Sequence, residues 1–209
     1  RPAVNVTPVN DAPNAVNDTV ITNVAGNTAF LIPEWALLAN DTDPDSSLSI
    51  SSITPQSNSA SLPTRSSGSV VVTDNSTPNG NFTYRVTDGS LTDTARVDVT
   101  RTTSNTLNGG TGNDIIVGNG NANTIDAGTG NDIIFAGGGN DTITWNATSI
   151  TLPFLGTIET SQDGRDFVDG GEGDNDTFIV NGNGLAESSV VYSRAAADVL
   201  GIAVSRPGT

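Results

Sequence analysis

The chain contains no histidine, no cysteine, no methionine and no lysine among its 209 residues. Each absence removes a chemistry. Without His or Cys there is no Ser-His-Asp triad, no thiol nucleophile, no redox dithiol and no zinc site of the usual ligands. The cations are eight Arg against 23 acids, for a net charge of -15. Nucleic acid and anionic membrane surfaces are poor partners for such a chain, because phosphate contacts need clustered cations. No apolar run is long enough to span a bilayer. The lack of Cys says nothing about compartment, since a metal can close loops that a disulfide would otherwise close. The chain opens on Arg1 rather than Met, and reads as an excised piece of something longer.

What is present is a vocabulary of short oxygen-bearing side chains. Of the 23 acids 19 are Asp, and Asn and Gly each number 23. These residues favour turns and left-handed backbone and are weak helix formers, which predicts an all-β chain. From Arg1 to about Thr100 short strand-like runs alternate with turn clusters. Phe82-Thr83-Tyr84-Arg85-Val86 and Ala95-Arg96-Val97-Asp98-Val99 have the period of two expected of half-buried strands. Thr19–Val24, Thr28–Ile32, Leu48–Ile53 and Ser69–Thr73 read the same way less cleanly. Asp88-Gly89 and Asn79-Gly80 supply turn signals, and the whole predicts an antiparallel β-sandwich. Trp35-Ala36-Leu37-Leu38 is too short for a real helix and reads as one turn plugging an end of that sandwich.

After the polar bridge 101–106 the sequence repeats every nine residues: Gly109–Val117, Gly118–Asp126, Ala127–Phe135 and Ala136–Thr144. Position eight is always Ile (Ile116, Ile125, Ile134, Ile143), with Leu107 in that place in a preceding fragment. Position six is Asp114, Asn123, Asp132 and Asp141. A Gly-rich hexapeptide can turn sharply, and the next three residues form a minimal strand with one inward apolar side chain. Two units make an 18-residue coil, so each repeat stacks on the next but one. Stacked turns crowd carboxylates and carbonyl dipoles together. A hard divalent cation reverses that repulsion, and all-oxygen ligation suits calcium.

This pattern, GGxGxDxUx, resembles the RTX nonapeptide repeats of bacterial proteins exported by type I secretion. The resemblance implies a parallel β-roll binding Ca2+ through the turn Asp and backbone carbonyls. Carried onto this chain, Asp114 and Asp132 with carbonyls around Gly110, Gly112, Gly128 and Gly130 form one row. Asp141 with Gly137 and Gly139 forms the other, where Asn121 and Asn123 depart from the pattern and Asn123 would offer only a neutral amide oxygen. Residues 145–160 read as a hairpin-like insertion. The register then resumes with Val168 and Phe178 inward and Asp166 and Asp176 as further ligands. If the insertion replaces a half-coil, Asp166 falls on the Asp141 row. The remaining chain, including Ser189–Tyr192 and Val199–Val204, reads as a cap on the last rung.

The first half, through Val9–Pro13, Leu37–Asp43 and Phe82–Gly89, resembles the cadherin-like or Ig-like repeats of large bacterial surface proteins. That resemblance implies an Ig-type sandwich and calcium at its acidic loop. Asp41, Asp43 and Asp45 alternate in one loop, and Asp88 completes the set if its turn lies at the same end. The alternative is that these are ordinary turn-forming Asp residues.

The expected architecture is therefore an Ig/cadherin-like sandwich over 1–101, then a parallel calcium β-roll over 102–209 with an inserted hairpin and a C-terminal cap. The expected role is a non-catalytic calcium-binding structural module, secreted or at the bacterial cell surface. It would fold on extracellular calcium and stiffen or position neighbouring domains of the same polypeptide. The parent would be a surface adhesin with a cell-surface or matrix ligand, with no nucleic-acid partner and no membrane insertion. The competing parent is a secreted enzyme, such as a haem peroxidase, carrying the chain as an accessory C-terminal region.

Overall fold

The structure, a computed structural model, describes residues 9–55, 62–73, 79–146, 148–152, 156–161, 166–172, 175–181 and 201–205. The first half contains β1 (Asp18–Thr22), β2 (Ala29–Pro33), the single-turn α1 (Glu34–Leu37), β3 (Ser49–Pro55), β4 (Leu62–Ser66), β5 (Ser69–Thr73), β6 (Asn79–Thr87) and β7 (Thr92–Arg101). They form two facing sheets, ordered β1-β7-β6-β3 and β2-β5-β4. The alternation in β6 and β7 turns Phe82, Tyr84, Val86, Ala95, Val97 and Val99 inward, where they meet Ile32, Val70 and Val72 of the opposite sheet.

Three details depart from the sequence expectation. The β1–β7 pair is parallel, so the sandwich is not purely antiparallel. Asn79-Gly80 is not a turn; it begins β6, with Asn79 opposite Thr100 and Gly80 opposite Val99. Trp35 does not plug the sandwich. Ala36 and Leu37 are buried, but Trp35 is 47% exposed and meets Phe135 and Phe167 at ring-centroid distances of 6.1 and 4.9 Å.

The second half is a chain of short parallel strands. These are β8 (Thr106–Asn108), β9 (Asp114–Val117), β10 (Thr124–Asp126), β11 (Ile133–Phe135), β12 (Thr142–Asn146), β15 (Phe167–Asp169), β16 (Thr177–Asn181) and β17 (Gly201–Ser205). Between β12 and β15 runs the antiparallel hairpin of β13 (Thr148–Leu152) and β14 (Gly156–Ser161). The strands alternate between two sheets: β8, β10, β12, β16 and β17 form one, and β9, β11 and β15 the other. Equivalent strands lie 18 residues apart, as in Ile116 opposite Ile134 and Ile125 opposite Ile143. Leu107, Ile116, Ile125, Ile134 and Ile143 fill the interior, with Val168 and Phe178 packed against them. β17 adds one further parallel strand beside β16; Ser189–Tyr192 lies outside the described residues.

The two halves share a sheet. β1 pairs in parallel with β7 on one side and with β9 on the other, giving the order β15-β11-β9-β1-β7-β6-β3. Side chains of one strand face alternately, so β1 serves two cores. Val20 belongs to the sandwich core, while Ile21 stands opposite Ile116 and packs into the roll. The outer face of the roll's first sheet is in turn covered by the sandwich, whose core cluster takes in Ile115, Val117 and Ile133. This explains a difference between repeats. β9 and β11 of the shared sheet read Ile-Ile-Val and Ile-Ile-Phe because both faces are covered, whereas β10 and β12 carry Thr or Asp on either side of their Ile.

Candidate metal centre

The turns preceding β9, β11 and β12 are built on left-handed glycines. Gly110, Gly112, Gly128, Gly130, Gly137 and Gly139 all have φ between 90° and 141°, the left-handed region in which a Cβ is strained. Stacking adds a second demand. A Cβ on Gly128 would strike the Gly110 carbonyl, and one on Gly130 the Gly112 carbonyl. The turns lie one on another through Gly112 N–H to Thr129 O at 2.8 Å and Thr129 N–H to Gly110 O at 2.9 Å.

The position-six side chains form two columns. The Asp114 N–H donates to Asp132 Oδ1 at 2.8 Å, and the Asp132 N–H to Asp166 Oδ1 at 3.0 Å. In the second column the Asn123 N–H donates to Asp141 Oδ1 at 2.7 Å, and the Asp141 N–H to Asp176 Oδ1 at 2.9 Å. Asp166 therefore stands under Asp132, not on the Asp141 row. The spacing between stacked residues rises from 18 to 34 across this step, the difference being the sixteen residues of the insertion. The hairpin is added to a coil and replaces no part of one. In the second column the spacing is 35, which includes the extra residue between Gly170 and Asp176.

One oxygen each of Asp132, Asp141, Asp166 and Asp176 is thus committed to a backbone N–H. The Oδ2 atoms of Asp114 and Asp141 are buried and have no hydrogen-bond partner, in residues only 4% and 1% exposed. Burial, then the charge of Asp132, pushes the Asp114 carboxyl up to about 7. Burial, then the charge of Asp176, pushes Asp141 up against two hydrogen bonds from Asn123 that pull it down. Orphaned carboxylate oxygens beside inward carbonyls are a donor set for a hard cation. Among the described residues no three carboxylates converge on one point, so carbonyls of the left-handed glycine turns must complete any shell. Asn123 differs. Its amide nitrogen, not the oxygen expected of a ligand, faces the neighbouring carbonyls.

In the sandwich, the Asp43, Asp45 and Asp88 loops meet the N-terminal segment at one end. Asp88 Oδ2 accepts from Asn10 Nδ2 at 2.7 Å, and Asp45 Oδ2 from the Asp11 N–H at 3.4 Å. Asp43 Oδ1 accepts from the Asp45 and Ser46 N–H groups, and Asp88 Oδ1 from those of Ser90 and Leu91, as turn-forming Asp residues do. The N–H groups of Leu91 and Ser90 hold the Asp88 carboxyl below its usual range. Asp41 does not join this group. It is turned inward, accepting from the Val16 N–H at 2.7 Å and from Tyr84 Oη at 3.0 Å. Sequence reasoning missed its neighbour Asp18, which is 5% exposed and has an unpartnered Oδ2. It also missed Asn23, which reaches into the roll. Neither lies in a repeat or an acidic run that would have marked it.

Comparison with known proteins gives two family matches. A model of the cadherin-like domain matches residues 9–102. A model of the RTX calcium-binding nonapeptide repeat matches residues 101–134, 117–144 and 161–178. Among solved structures, the endo-fucoidan hydrolase MfFcnA4 of glycoside hydrolase family 107, and a single-residue variant of it, are similar at 19% identity and a TM-score of 0.32. Each match covers 53% of this chain and 19% of that enzyme. No curated protein matches. The fold and its stacked turns define a calcium-binding module. The chain carries a cadherin-like domain followed by RTX repeats, and the cation that such repeats bind is Ca2+. Neither matched family is catalytic, and among the described residues no helix is long and apolar enough to cross a membrane.

Proposed function

We propose that this module belongs to a secreted bacterial protein, folds its roll on meeting extracellular calcium, and thereby stiffens the polypeptide around it, as in a surface adhesin. Asp114 carries the reading: a buried carboxylate with an unpartnered oxygen, stacked on Asp132 among glycine carbonyls. Calcium would be held there by Asp114 and Asp132 with carbonyls of the 109–112 and 127–130 turns, and in the second column by Asp141 and Asp176. The ion supplies positive charge that the chain lacks, since Thr102 to Ser193 holds twelve acids against Arg165 alone. Inside the roll each nine-residue unit buries one Ile, and only the units of β9 and β11 bury more, against the sandwich; this is too little to offset the ordering of a glycine-rich backbone. Binding free energy is then folding free energy. Low calcium inside a cell would keep the charged rungs of the roll open for export, and calcium outside would close them.

The test is a calcium titration of the full chain followed by far-UV circular dichroism. Strand signal should rise cooperatively with calcium, and Asp114→Ala with Asp132→Ala should move the midpoint to higher calcium. A spectrum already complete in excess chelator, or an unmoved midpoint, would refute the mechanism.

A further inference from the structure

The two turns that open the first coil place different atoms at the same point. A Cβ built on Gly109 would meet the Ala127 carbonyl and, at 2.9 Å, Asp114 Oδ2. Built on Gly118, nine residues later, it would meet the Ala136 carbonyl and, at 3.0 Å, Asn123 Nδ2. In the first turn the atom is a carboxylate oxygen without a partner. In the second it is an amide nitrogen facing three oxygens: Asn121 O at 2.6 Å, Ala136 O at 3.2 Å and Asp141 Oδ1 at 3.2 Å. All three are acceptors, so the amide can face them only with its nitrogen. Its oxygen is engaged on the other side, where Asn23 Nδ2 donates to it at 2.6 Å while also donating to Ser104 O. The orientation is thus fixed from both ends, in a side chain 2% exposed.

The backbone of this turn differs as well. Asn119 and Asn121 stand where the neighbouring repeats carry left-handed glycines, yet the only non-Gly residues with positive φ among those described are Asn27 and Ser67. Asn119 Oδ1 instead accepts from the Asn121 N–H at 2.9 Å, an Asx turn that closes the loop without left-handed residues. Asn119 Nδ2 donates to Asn23 O. These donors do not fit a cation. An N–H pair carrying partial positive charge already lies among the oxygens.

We propose that the rung between turns 118–123 and 136–141 takes no cation. The Asn123 amide nitrogen stands in its place, and Asn23 ties this metal-free rung to the sandwich whether or not calcium is bound. The proposal rests on the reading of the Asp114 and Asp132 turns as calcium sites, and names the place beside them where the roll is held by hydrogen bonds alone. Asn123 adds no charge to this rung, which is available as the first turn on which the charged rungs assemble.

Native mass spectrometry of the calcium-loaded full chain tests it by counting ions. Asn123→Ala should lose no ion relative to the unaltered chain; loss of one ion would overturn the proposal. Restoring the pattern of the other turns with Asn119→Gly, Asn121→Gly and Asn123→Asp together should add one ion, and an unchanged count in the folded variant would also overturn it. Side-chain amide NMR provides a readout independent of calcium. In excess chelator the Asn123 NH2 group should keep its calcium-state shift and exchange about tenfold or more slowly than that of exposed Asn140. A solvent-like Asn123 amide there would sink the proposal. A chain that binds no calcium but keeps this protected amide would refute the calcium reading and leave the metal-free rung standing.

Discussion

Asp18 is where a single residue governs a measurable property. Its Oδ1 accepts from Asn40 Nδ2 at 3.0 Å, and its Oδ2 is buried without a hydrogen-bond partner. Burial, together with the nearby charge of Asp41, pushes its carboxyl up to about 8. Asp41 is itself raised, by burial and by the charge of Asp93, and burial, then the charges of Asp18 and Asp41, drives the Tyr84 hydroxyl far upward. The sign follows from linkage. A carboxyl whose folded pKa lies above its unfolded value binds its proton more tightly in the native state. Its contribution is fully present below about pH 4 and is lost as pH rises towards 8, at up to about 1.4 kcal/mol per pH unit. Denaturant unfolding of the full chain in excess calcium should therefore show the sandwich weakening from pH 5 to pH 8. Asp18→Asn, which keeps an oxygen for Asn40 and cannot ionise, should flatten that slope and raise stability at pH 8. Equal slopes in the two proteins would show that Asp18 is not the titrating group. The same residue-scale logic separates Asp114 from Asn123. Both occupy position six, but one leaves an oxygen unsatisfied and the other satisfies its surroundings by itself.

At the scale of elements, β1 is the component on which the others depend. It is the only strand among those described that pairs with both halves. Thr22, fully buried, donates from Oγ1 to the Val117 carbonyl at 2.7 Å and accepts from the Val24 N–H. Thr22→Val preserves the shape and removes both hydrogen bonds, at a cost of about 1 to 3 kcal/mol. For a chain of this size each 1 kcal/mol is roughly 2 to 4 °C of Tm, so differential scanning calorimetry with calcium present should register a clear fall. An unchanged Tm would mean that the β1–β9 junction does not depend on this bond. The aromatic contact bridges the same elements, with Trp35 of α1 lying against Phe135 of β11 and Phe167 of β15. In a Trp145→Phe background Trp35 is the sole indole. Its emission should shift to the red when chelator is added and Phe167 leaves it. Emission indifferent to calcium would contradict that order of events.

Over the whole molecule, stability is graded along the roll. The sandwich has a two-sided apolar core, and the coil beside it shares that core through Ile115, Val117 and Ile133. Later rungs have carboxylates on both columns and less apolar cover: Val168 and Phe178 are only partly buried. Hydrogen exchange of the full chain in excess chelator should accordingly find β6 and β7 protected, β15 and β16 open, and β9 between them. Added calcium should bring the late strands to the level of the early ones. Uniform protection along 106–181 in chelator would show that the roll does not depend on the ion. Collapse of β6 and β7 in chelator would mean that the sandwich requires metal as well.

Much of this was legible without coordinates, because it is local. A nine-residue period with Ile at position eight determines which side chain enters the roll and that stacking recurs every 18 residues. Glycine at the second and fourth positions determines a turn that exposes carbonyls, and Phe82, Tyr84 and Val86 determine an inward face. The rest depends on which strand pairs with which, and a short parallel strand carries no mark of its neighbour. Nothing in Asp18–Thr22 says that its far edge will receive β9, so Ile21 as the roll's next inward residue and Asn23 as the partner of Asn123 could not be read. The position of Asp166 had the same origin. Whether sixteen inserted residues replace half a coil or loop out of it is decided by where β15 finds an open edge, and that edge was β11. Period and composition are properties of neighbours in sequence; register between distant strands is set only when the packed sheets bury both faces at once.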